Sequence, residues 1–60
     1  MNTAYRCYLR DRDCRIFERC DFQADSDTEA IAQARTLALE HKARSFELWE
    51  AARYIHGAGC

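Results

Sequence analysis

The chain has no proline, only two glycines and no sustained apolar run in its 60 residues. Each shortage removes a class of protein. Gly57 and Gly59, both at the far end, cannot build a phosphate-cradling loop, which needs glycine where the backbone closes on the anion. A secretory leader needs roughly 7–15 apolar residues in succession and a membrane span about 20. Arg6 and Arg10 interrupt the first segment, and no later one comes close. A cytosolic protein with reduced thiols is the expectation. An excess of one charge is missing too. Nine basic residues meet ten acidic ones, net −1, so no long-range field gathers nucleic acid or an anionic membrane. The early arginines (Arg6, Arg10, Arg12, Arg15, Arg19) alternate with Asp11, Asp13, Glu18 and Asp21 and read as a mixed, solvated edge.

Close cysteine pairs are also lacking. Cys7, Cys14, Cys20 and Cys60 are too far apart for the short spacing with which one tight turn aims two sulfurs at zinc. Cys7 and Cys20 read as small core hydrophobes, and Cys14 and Cys60 as exposed thiols at a loop tip and in a tail. No metal and no cofactor are expected. Ser26 and Ser45 read as a helix cap and a loop residue, and His41 and His56 fall at element ends, so no nucleophile has a base and an oxyanion loop beside it. Sixty residues leave little room for an enclosed active site, and the expectation is a protein that is not an enzyme.

What is present is a pattern of elements. Ser26-Asp27-Thr28-Glu29 is a capping box: Ser26 is placed to cap, and Glu29 three residues on is placed to reach back. Ala30, Ile31, Ala34, Leu37, Ala38 and His41 follow at helical spacing, so a helix is predicted from about Asp27 to His41. Because that stripe is mostly alanine, the helix should lie close to its sheet. On either side the apolar residues alternate. Residues 3–10 and 15–23 read as strands around a turn at Asp11-Arg12-Asp13-Cys14, with aspartates where a type I turn uses them and Cys14 where such hairpins often carry glycine. Residues 46–49 and 53–56 read as a second hairpin, reversed at Glu50-Ala51-Ala52-Arg53; a continuous helix over 45–56 is the competing reading. Residues 57–60 read as a flexible tail. The result is one small α+β domain over 1–60: a four-stranded antiparallel sheet, order 2-1-3-4, with one helix on one face.

Register then assigns faces. A two-residue loop at Arg12-Asp13 would set Leu9 opposite Ile16, Tyr5 opposite Cys20 and Tyr8 opposite Phe17, with Leu9, Ile16 and Phe22 inward. Pairing Leu48 with Ile55 would turn both inward and set Trp49 against Tyr54 outward. The face away from the helix would then carry Tyr8, Phe17, Trp49 and Tyr54, with Arg6, Arg19, Glu47 and His56 around them. A short chain buries only about 60% of its unfolded surface, and small domains of this kind need a staple or a partner. Uncovered aromatics with arginines are what an interface core favours. Tyr8, Phe17, Trp49, Tyr54, Arg6 and Arg19 are therefore the expected interface, for a second copy or another protein. Stacking of single-stranded nucleic acid on the same face is the alternative.

Tyr5–Leu9, the Asp-rich turn, Arg15–Phe22 and the run Ala24-Asp25-Ser26-Asp27-Thr28-Glu29-Ala30-Ile31-Ala32, continued by Phe46-Glu47-Leu48-Trp49, resemble the short uncharacterised ββαββ proteins common in rhizobia-like alphaproteobacteria. That resemblance implies a small bacterial domain and no known activity. The turn at Cys14 and segment 57–60 depart from it. A second likeness, to HicB-type antitoxin domains, is carried by Asp27-Thr28-Glu29-Ala30 after a hairpin. It implies a partner domain that binds a toxin protein, although the glycine- and proline-bearing segment before the helix is missing here.

Overall fold

Asp11 turns the chain for the first time. In the computed structural model, which describes residues 2–57, its Oδ1 accepts hydrogen bonds from the backbone N–H of Asp13 at 2.9 Å and of Arg15 at 3.1 Å. Its carbonyl accepts from Cys14 N–H at 3.1 Å. This is the local bonding that makes aspartate a turn residue. Cys14 takes the left-handed conformation, φ 65°, at the place where the sequence suggested glycine. The turn joins β1, Thr3–Arg10, to β2, Ile16–Ala24. The helix α1, Asp27–Glu40, connects them to a second hairpin of β3, Ser45–Glu50, and β4, Arg53–Gly57. The four strands form one antiparallel sheet in the order β2-β1-β3-β4. Class, element order and strand order are those expected, and residues 45–56 are a hairpin rather than a helix. Of the expected tail, Gly57 closes β4 and the rest lies outside the described residues.

The helix starts and stops by local chemistry. Ser26 caps it, its Oγ accepting from Glu29 N–H at 3.1 Å. The Glu29 carboxylate turns forward instead of back and accepts from Gln33 Nε2 at 3.2 Å. At the other end Ala43 N–H donates to Ala38 O at 2.7 Å and Lys42 N–H to Leu39 O at 3.2 Å. That is a Schellman closure, with Lys42 at φ 57° where glycine is usual. His41, expected on the buried stripe, is the exposed cap residue. Ala30, Ala34 and Ala38 are the buried residues of α1. They meet Tyr5, Cys7, Leu9, Ala24, Phe46 and Leu48, which complete the core.

The register of the first hairpin differs from the expected one. Leu9 faces Glu18, Tyr5 faces Phe22, Cys7 faces Cys20 and Tyr8 faces Arg19. Two one-residue insertions cause this. One is Cys14 in the turn; the other is Phe17, left over between the pairs Arg10–Ile16 and Leu9–Glu18. A single insertion would exchange the two faces of β2. Two restore them, so Cys20 and Phe22 still lie on the helix side. Ile16 lies between the two insertions. It pairs with Arg10 and is 52% exposed rather than inward. In the second hairpin Trp49 faces Tyr54 as expected, but Leu48 faces His56, because Ile55 is the extra residue there. His56 therefore belongs to the helix side, its ring 5.5 Å from that of Phe46.

Candidate interaction face

The helix covers one face of the sheet, and the residues that alternate away from it build the other. Pairing across the strands sets them in rows. One row reads Asp21, Arg6, Trp49, Tyr54; the next, one pleat along, reads Arg19, Tyr8, Glu47, Gly57. Five of the six residues singled out from the sequence, Arg6, Tyr8, Arg19, Trp49 and Tyr54, fall in these two rows. Phe17 does not join them. As the inserted residue it has no partner across the ladder and stands near the turn, 47% exposed.

Trp49 and Tyr54 form the apolar centre. Their rings meet edge to face, with centroids 5.2 Å apart and planes at 70°, the arrangement aromatic quadrupoles favour. The indole Nε1 donates to Glu47 Oε1 at 3.2 Å. Tyr54 is 52% exposed and lies over Gly57, where a Cβ would collide with its hydroxyl. Around this centre the charges are matched. Arg6 Nε donates to Asp21 Oδ1 at 3.0 Å. Asp21 also stands 3.9 Å from Arg19, and Arg10 pairs with Glu47. The Asp21 carboxylate and then the Tyr8 hydroxyl raise the Arg6 guanidinium pKa further above its already high ordinary value. Ala4, the smallest side chain on this side of β1, contributes with Arg6, Tyr8, Asp21, Gln23 and Trp49 to the lining of an open cavity of about 910 Å³.

A second polar cluster, at the edge of the sheet, was not foreseen. Tyr5 Oη donates to Asp27 Oδ1 at 2.8 Å. Arg53 reaches both Asp27 oxygens, each at 3.1 Å, and its Nε donates to Glu50 Oε1 at 2.8 Å. This clasp ties the first turn of α1 to β1 and to the β3–β4 turn. The Arg53 bond and then the Tyr5 bond hold the Asp27 carboxyl below its ordinary value, while burial and then Asp27 push the Tyr5 hydroxyl up. Asp27 read from the sequence as a residue at the start of the helix, and nothing in the spacing from Asp27 to Arg53 announces their meeting.

The other chemistry is sparse. Among the described residues no group of three His, Cys, Asp or Glu side chains could hold a metal ion, and no helix is long and apolar enough to cross a membrane. No family model, no curated protein and no solved structure matches the chain.

Proposed function

We propose that the protein is a small non-enzymatic interaction module that associates with a second copy of itself through the open sheet face. The observation that carries this is the edge-to-face pair of half-buried Trp49 and exposed Tyr54 on the side without a helix. A two-fold interface brings one patch against itself, so the patch must be self-complementary. This face holds both signs of charge beside its aromatic centre, Arg6 and Arg19 with Asp21, and Arg10 with Glu47. The molecule measures 35 × 22 × 15 Å, and its broad side offers a footprint near the ~800 Å² per partner of a standard interface.

The same pairing argues against nucleic acid. The open-face arginines Arg6, Arg10 and Arg19 each have a carboxylate at hand, which weakens their pull on phosphate. The likeness of residues 27–30 to antitoxin domains also favours a protein partner, and the group resemblance a bacterial one.

Size-exclusion chromatography with light scattering tests the reading. A dimer mass at tens of micromolar, falling to the monomer mass in Trp49→Ala, is expected. A monomer at every concentration up to several hundred micromolar overturns self-association.

A further inference from the structure

Cys7 and Cys20 stand directly opposite each other across the β1–β2 ladder. Both are free thiols on the helix side. Cys7 has no exposed surface, while Cys20 is half-buried on a strand that has a neighbour on one side only. Opposed residues of an antiparallel pair have Cα atoms about 4.5–5.5 Å apart, within the ~4.4–6.8 Å that a disulfide spans. We infer that Cys7 and Cys20 are a reversible thiol-oxidation site, which a small disulfide such as oxidised glutathione converts to a cross-strand bond between β1 and β2.

Access and register dictate the order of events. Cys20, the more exposed thiol, loses its proton to water, and its thiolate attacks one sulfur of oxidised glutathione. The glutathione S–S bond breaks, and one glutathione thiolate leaves and takes up a proton. Cys20 is now a mixed disulfide facing Cys7. The Cys7 thiolate then attacks the Cys20 sulfur, forms the protein disulfide and displaces the second glutathione. Two protein thiols have given up two electrons and two protons; one glutathione disulfide has become two glutathione thiols.

Burial makes both thiols slow. It pushes Cys7 up to about 11, with Cys20 adding to the shift, and raises Cys20, with Glu18 and Asp21 adding to that one. Thiolate is therefore scarce at neutral pH, and the pair responds to a sustained oxidising poise rather than to brief exposure. Oxidation would fasten the edge strand on which Arg19 and Asp21 flank Cys20, and so stiffen one side of the open face.

Trypsin places the two thiols on separate peptides, residues 7–10 and 20–35, and Cys14 on a third, residues 13–15. The native protein is equilibrated with a graded series of reduced and oxidised glutathione, quenched with acid, then denatured and alkylated with excess N-ethylmaleimide at neutral pH, and mapped by mass spectrometry. The expected result is peptides 7–10 and 20–35 joined with loss of two hydrogens, reversed by reduced glutathione. In Cys7→Ala the reaction is expected to stop with glutathione on Cys20. The proposal is overturned if Cys7 and Cys20 are both alkylated in the most oxidising mixture, if Cys20 of the intact pair retains glutathione, or if either thiol is found joined to Cys14 instead.

Discussion

Among the described residues, three other than glycine carry the left-handed backbone that this fold needs at its reversals: Cys14 at φ 65°, Lys42 at φ 57° and Ala51 at φ 52°. A Cβ in that region costs roughly 1–2 kcal/mol, part of which glycine recovers. Lys42→Gly and Ala51→Gly are each expected to stabilise the protein by about 0.5–1 kcal/mol. Urea unfolding would show the midpoint rising with an unchanged slope, and the two gains adding because the sites share no partner. Of the three, Cys14 was legible, since a type I turn after Asp11 leaves a known glycine position. Lys42 and Ala51 were not, because neither residue type favours positive φ. Protonation acts at the same scale. The folded-state pKa of Asp27 is depressed below 3.8 by Arg53 and Tyr5. Its contribution is therefore complete above the unfolded value and is lost as pH falls through the folded one. The stability difference between wild type and Asp27→Asn should hold steady above about pH 5 and vanish in stronger acid. Cys7 works in the opposite direction. Its folded-state pKa rises from 9.0 to about 11, so the associated stability is present below pH 9 and drains away as pH climbs through that interval. Cys7→Ala should flatten this alkaline loss, which is worth about 2 kcal/mol.

At the scale of elements, α1 is held by closeness rather than bulk. Ala30 and Ala34 have no exposed surface, and Ala38 is 8% exposed, so methyl groups are what the helix presents to the sheet. Ala34→Leu would force the two apart and is expected to cost about 2 kcal/mol. Ser26→Ala, which removes the acceptor for Glu29 N–H, should cost about 1 kcal/mol. Urea or thermal unfolding measures both; a neutral Ala34→Leu would contradict the close packing. The capping box and the alanine stripe made this helix readable in advance. The strands were readable as strands but not in register. Periodicity marks alternation within one strand, whereas register depends on how many residues each reversal consumes. Cys14 is consumed by the turn and Phe17 and Ile55 by bulges within the strands, and no composition rule reveals those bulges. The faces survived in β2 only because its two insertions cancel. In β4 a single one carried His56 to the opposite side.

As a whole molecule the protein has one thin core, in which Leu9, Leu48 and Cys7 are the largest fully buried side chains. Leu48→Ala is expected to cost about 3 kcal/mol, a large share of what a domain of this size possesses. Reduced cooperativity or outright unfolding in thermal denaturation would register it. Gly57→Ala separates folding from association. The added methyl displaces Tyr54 from its place beside Trp49, and because the ring tip is exposed, stability should change by less than about 0.5 kcal/mol. Under the proposed self-association the dimer should weaken at least several-fold in light scattering. An unchanged dimer would mean that the Trp49–Tyr54 pair lies outside the contact.

What the amino-acid order settled unaided was the inventory: two hairpins, one capped helix, a single sheet and its strand order. Those features depend on residues that are neighbours in the chain, where alternation, helical spacing and turn chemistry act directly. Only the folded molecule decided which residues stand across from one another: Cys7 from Cys20, Asp21 from Arg6, and Asp27 within reach of Arg53. These meetings join distant positions through the residues that bulges take up and the angle at which the helix crosses. Each is a property of the assembled sheet that no stretch of the chain contains.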